Sequence, residues 1–157
     1  MSRNITFTYS TDGGSTFTGV TLACNVVRCT LMPTSETAAA EEPSMTSDAP
    51  ECQIMTPRLH VDIQVSSVGL NPRDTAAGTS NFIALQKWVC APLRRIYNAD
   101  VATAATIDGW NQFDTNNNTN YVNMRDDPSY EFEDKDDASR RIRKATLNLK
   151  TRKAVSL

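Results

Sequence analysis

The residues that could do chemistry are few and scattered. His60 is the only histidine, which restricts general acid–base schemes built on imidazole. It falls on the polar side of an alternating stretch, with no serine or cysteine at a motif-like position beside it. A Cys–His pair could therefore assemble only in space, and a hydrogen-bonded or exposed structural histidine is the plainer reading. The cysteines are Cys24, Cys29, Cys52 and Cys90. None forms a Cys-x-x-Cys pair, so the close ligand spacings of a four-cysteine zinc site are missing and free thiols in a reduced protein are expected. Cys24 and Cys29 lie five apart on an apparent strand, a spacing that sends their side chains to opposite faces.

Asp114-Thr115-Asn116-Asn117-Asn118 offers oxygen ligands at alternate positions, as a calcium loop begins. Thr119 then stands where the tight-turn glycine belongs, and Arg125 where the closing bidentate acid belongs. An Asn-rich turn is expected instead. The pairs Asp126/Asp127 and Asp136/Asp137 could hold a divalent ion or act as glycosidase carboxylates, but a solvated or salt-bridged acidic surface accounts for them. No GxSxG, Walker-type phosphate loop, GxGxxG or HExxH pattern occurs. The expectation is a protein that is not an enzyme and uses no cofactor and no metal.

The sharpest feature is a change of charge near the C-terminal end. Residues 126–137 carry Asp126, Asp127, Glu131, Glu133, Asp134, Asp136 and Asp137 against Lys135 alone. Residues 140–153 carry Arg140, Arg141, Arg143, Lys144, Lys150, Arg152 and Lys153 and no acid. The overall formal charge of −2 hides this segregation. Segregated charge suits a subunit that docks against copies of itself, so both tracts are candidate subunit interfaces, the first acidic and the second basic. Pairing of the tracts within one chain is the competing reading. Arg140–Lys144 could contact phosphates and Tyr130 and Phe132 could stack bases, but those aromatics sit inside the acidic tract, whose field repels nucleic acid.

The elements that would carry these residues read as mainly β. With 157 residues the chain can bury one core, and a single β-rich domain over 1–157 is expected. Ile5, Phe7 and Tyr9 alternate with Thr6 and Thr8, and Asp12-Gly13-Gly14 reverses the chain into a hairpin. Val20–Leu31 reads as a longer strand whose imperfect alternation allows a bulge. Residues 33–58 change character, with Pro33, Pro43, Pro50 and Pro57, five acids and no base before Arg58. This is a long acidic loop or arm, either solvated or ordered only against a neighbouring subunit. Leu59–Val65 is the cleanest strand. Ser80 caps a helix whose apolar stripe runs Phe82, Leu85, Val89, Leu93 and Ile96. Pro92 should kink or end it near Cys90, and Arg94 and Arg95 suit a last turn. Asp108-Gly109 and residues 115–120 are turn chemistry, with Trp110, Phe113 and Tyr121 as apolar anchors. The acidic tract is too polar for a core strand, and Ala145, Leu147 and Leu149 alternate in a closing strand. Together these make a mainly β, α+β domain: a β-sandwich or partly closed barrel with one packed helix and a long extended loop. Residues 126–157 form its acidic-to-basic assembly segment. No apolar run is long enough for a membrane span, and the N-terminal stretch lacks a signal-peptide core.

In its order of elements the chain resembles the tail-tube and related virion proteins of tailed bacteriophages. The matching features are the early strands Ile5–Leu31, the insertion Pro33–Pro57, the strand Leu59–Val65, the helix around Ser80–Ile96 and the closing strand Ala145–Leu149. The family's long loop is usually a hairpin, whereas this one is broken by prolines. The resemblance implies a non-enzymatic virion protein, made in the host cytoplasm, that forms rings or stacked rings with copies of itself in a tail tube or head–tail connection. Its partners would be other virion proteins, with passing contact with DNA that reads no sequence, through a lining mainly acidic or neutral. A capsid cement or decoration protein and a small nucleic-acid-binding module are the alternatives.

Overall fold

The computed structural model describes residues 3–37, 53–100, 107–113, 121–132 and 142–155. The strands are β1 (Arg3–Ser10), β2 (Thr18–Thr37), β3 (Gln53–Ser66), β4 (Leu93–Asn98), β5 (Val122–Met124), β6 (Ser129–Phe132) and β7 (Ile142–Thr151); the one α-helix among the described residues is α1 (Gly78–Cys90). All strand pairs are antiparallel. They form one seven-stranded sheet in the order β4-β1-β2-β3-β7-β5, with β6 beside β5 on the same edge of β7.

Alternation decides which face is buried. Ile5 and Phe7 of β1, Leu22 and Cys24 of β2, the run Leu59, Val61, Ile63 and Val65 of β3, Ile96 of β4, and Ala145, Leu147 and Leu149 of β7 all point into one core. Register lines them up across the sheet: Ile5 faces Leu22, Val65 faces Cys24 and Ala145, and Val61 faces Cys29 and Leu149. A bulge in β2 between Cys24 and Val26 preserves this arrangement. The extra residue shifts the inward parity of β2 from even to odd numbers, so Val27, Cys29 and Leu31 continue the stripe that Leu22 and Cys24 began. Cys24 and Cys29 therefore share the inner face, contrary to the opposite-face expectation, which assumed an unbroken period of two.

α1 lies across this face. Leu85 and Trp88 are fully buried, and the Trp88 ring meets Phe7 edge-on with centroids 5.1 Å apart. Its indole N–H donates to the Arg95 carbonyl at 3.2 Å. The helix is shorter than its apolar stripe suggests. Ala91 is extended, as the residue before a proline tends to be, and Leu93 and Ile96 belong to β4 rather than to the helix. Arg94 still serves the helix end: its guanidinium donates to the Val89 and Ala91 carbonyls at 2.7 and 2.9 Å. Ser80 is not the N-cap, a position that falls to Ala77. Gly78 opens the helix because a Cβ there would lie 2.2–2.6 Å from the backbone of Asn71 and Pro72.

The structure is a single rolled sheet, not a sandwich. Among the described residues its two outer edges meet at one β-bridge, Arg95 to Tyr121, with no continuous ladder between them, so these strands do not close a barrel. Arg95 fastens this seam. Its guanidinium lies 3.3 Å from the Phe17 ring centroid and 5.4 and 5.7 Å from those of Tyr97 and Tyr121. Contacts of this kind contribute about 0.5–2 kcal/mol according to exposure.

Candidate assembly surface

The proline-rich stretch is where the structure departs most from expectation. Residues 33–37 and 53–57 are not loop: the β2–β3 ladder runs on to Thr37 opposite Gln53, with Pro33 opposite Pro57. The excursion is a β-hairpin arm whose connecting residues 38–52 lie outside the described residues. The prolines fit because of their place in the ladder. The Pro57 carbonyl accepts from the Val155 N–H at 2.8 Å, so it points away from β2. In an antiparallel pair the N–H and C=O of a residue point the same way. Pro33 and Pro57 thus form a non-hydrogen-bonded pair, and the donor each lacks would have faced outward. Past Pro57, Thr34–Thr37 and Gln53–Thr56 pair only with each other among the described residues, a ribbon that projects about 13 Å. No described strand lies along the outer edge of β2 from Val26 onward; the Cys29 N–H there donates to the Asp108 carboxylate at 3.2 Å. Asp108 and Gly109 both have positive φ, 52° and 84°, and form the turn their sequence announces.

The charge tracts divide in two. Glu133, Asp134, Asp136, Asp137, Arg140 and Arg141 lie outside the described residues, as does the Asn-rich stretch 114–120. Where the tracts are described, they meet within one chain. β6, a strand on the sheet edge that holds one acid of the tract, pairs with β7 and sets Glu131 opposite Lys144. Arg143 forms an ion pair with Glu131 at 3.4 Å, and the Asn148 amide donates to Asp126 at 3.2 Å. Glu131 and Arg143 are more than half exposed, so their pair is worth about 0–1 kcal/mol and specifies register more than stability. For these two residues the described contact is the in-chain one.

The far end of the basic tract is different. Lys150 faces His60 and Asn123 across the sheet. Arg152 and Lys153 follow β7, exposed, and neither has a carboxylate partner among the described residues. They flank a cleft of about 370 Å³ at the seam, lined among the described residues also by Leu93 and Tyr121. This cleft was not visible in the sequence, since its walls come from three separate stretches.

The remaining candidates among the described residues are His60, Cys24, Cys29 and Cys90; Cys52 lies outside them. His60 is half-buried on the outer face of β3. Burial first, then the nearby Arg125 and Lys150 cations, lower its pKa against the opposing pull of Asp62, and Asp62 itself pairs with Arg125 at 3.4 Å. Burial pushes the Cys24 thiol up to about 12. Cys29 is likewise pushed up to about 12, by burial and then by Asp108. Neither is an activated nucleophile. No group of three or more metal-binding side chains occurs among the described residues. No helix among them is long and apolar enough to cross a membrane. Compared with protein-family models and with curated proteins, the chain matches none.

Proposed function

We propose that this protein is a non-enzymatic structural subunit of a viral particle, one that assembles with copies of itself into rings or a tube in the tail or head–tail connection of a phage. The observation that carries this reading is the β2–β3 arm. Past Pro33 and Pro57 the two strands of this ribbon pair only with each other among the described residues, and an element that extends beyond its own sheet in this way suits docking against a neighbour. The arm also supplies the hairpin that the proline-rich sequence had seemed to deny to the resemblance with tail-tube proteins. One arm on one side of a subunit and a receiving surface elsewhere make a heterologous contact, which closes into rings or propagates as a tube.

Light scattering after size exclusion, with negative-stain microscopy, tests the reading over a range of protein concentration and salt. Rings or tubes are expected. A variant with residues 34–56 replaced by Asn-Gly should keep the fold and lose assembly. A monomer under every condition would overturn the proposal.

A further inference from the structure

We propose that the seam cleft bounded by Leu93, Tyr121, Arg152 and Lys153 receives the acidic arm of a second copy of this chain, the stretch Glu36–Glu51. This inference rests on the self-assembly reading and names the surface that the arm meets.

Charge selects the occupant. The arm carries Glu36, Glu41, Glu42, Asp48 and Glu51 with no base among them. Arg152 and Lys153 stand exposed at the cleft with no carboxylate partner among the described residues. The other described contacts nearby are already made: Arg94 is committed to the Val89 and Ala91 carbonyls, and Arg95 to its aromatic neighbours. Arg152 and Lys153 are the cations on the described lining of the cleft, while Leu93 and Tyr121 give apolar surface for a carboxylate's stem.

Topology makes the donor a second copy. The cleft lies beside the root of the arm, because the short tail that bears Arg152 and Lys153 ends with Val155 bonded to Pro57. The ladder then carries the chain outward, away from that root, as far as Thr37 and Gln53. The described strands of the arm therefore end away from the cleft that bears Arg152 and Lys153. Each subunit can then give an arm on one side and accept one on the other.

Full-length protein tests this by sedimentation velocity. R152E/K153E and E41K/E42K should each weaken self-association by about tenfold or more, and an equimolar mixture or the four-fold swap should restore it. The wild-type association should also weaken as salt rises. Circular dichroism and an unchanged unfolding midpoint would show that each variant is folded. If wild-type protein assembles and both charge variants assemble equally well, this inference falls while the structural-subunit reading stands. If the wild type never assembles, both fall. A carbodiimide cross-link from Lys153 to Glu41 or Glu42, in a mixture of isotope-labelled and unlabelled protein, should join labelled to unlabelled chains. Cross-links confined to single chains would overturn the second-copy assignment.

Discussion

Replacing Asn71 by alanine should remove a large share of the stability of the fold. Asn71 is buried, at 3% exposure. Its amide donates to the Ser67 and Ile142 carbonyls at 2.9 and 2.7 Å, and its oxygen accepts from the Ile142 N–H at 2.9 Å. The ladder between β3 and β7 ends at Ser66 opposite Lys144. Beyond it β3 turns into a 3-10 segment, Ser67–Gly69, and on that edge no strand remains to meet Ile142, whose other edge faces Phe132 of β6. The Asn71 carboxamide takes the place of the missing strand and supplies both a donor and an acceptor. Asn71→Ala strands the N–H and C=O of Ile142 at a site where water has little access. At about 1–3 kcal/mol for each of the two unpaired buried groups, the loss is about 2–6 kcal/mol, against a total of about 5–15 kcal/mol for a domain of this kind. Urea unfolding followed by tryptophan fluorescence measures it as a lower midpoint with an unchanged slope. Asn71→Asp separates this account from one based on shape. The carboxylate keeps the acceptor but faces the Ile142 carbonyl without a donor, so at neutral pH it should be at least as destabilising as alanine. Part of the loss should return in acid, when the carboxyl group can donate. A loss below about 1 kcal/mol for Asn71→Ala, with the slope unchanged, would refute the reasoning.

Three further outcomes follow from the same geometry. Trp88→Phe removes the bond to the Arg95 carbonyl and leaves a void beside Phe7; a loss of about 2–3 kcal/mol is expected, and Trp88→Ala should approach 3–5 kcal/mol, both read by denaturant unfolding. Mass-spectrometric mapping after brief alkylation of the native protein at mildly alkaline pH should find Cys90, which is exposed, modified well before Cys24 and Cys29, whose thiols are held up to about 12; equal labelling of all three would contradict the buried placement. Asp12 accepts hydrogen bonds from Ser10 and from the Thr16 side chain and backbone, which hold its pKa well below the usual carboxylate value. Protons bind the unfolded chain first as the pH falls, so the stabilisation is complete above the unfolded value near ~3.9 and declines as the pH drops from there toward the folded value. The stability difference between wild type and Asp12→Asn should therefore be constant near neutrality and shrink below about pH 4.

Local rules made much of the fold legible. The unbroken alternation Leu59–Val65 marked β3, Asp12-Gly13-Gly14 marked the first hairpin, and Asp108-Gly109 marked a tight turn. What failed did so for identifiable reasons. Leu93 and Ile96 fit a helical stripe and a strand equally well, and only Pro92 separates the two; their pairing with β1 is long-range. Pro33 and Pro57 signalled a broken loop because each removes a donor, yet in this register the missing donors face away from the ladder. The bulge at Asn25 left a trace as imperfect alternation, though not enough to place both cysteines on one face. Of the assembly surface, the charged residues were plain from composition. Their division into an in-chain pair at Glu131 and Arg143 and a group at Arg152 and Lys153 with no carboxylate partner among the described residues depends on where β6 and the seam fall, and no spacing along the chain encodes that.

The facing prolines at the foot of the arm also limit what the ribbon can become. On β2 the amides that point outward belong to alternate residues, and Pro33 interrupts that row while Cys29 has already given its hydrogen to Asp108. An extended polypeptide laid along this flank would find only short runs of hydrogen-bond donors, with a gap in any alignment that crosses them. Open-ended stacking of one ribbon on the next, the route by which bare strands turn into fibrils, is therefore poorly rewarded. Recognition by side chains is left as the more favourable way to grip this limb, so a mate is chosen by its chemistry and not merely by being unfolded.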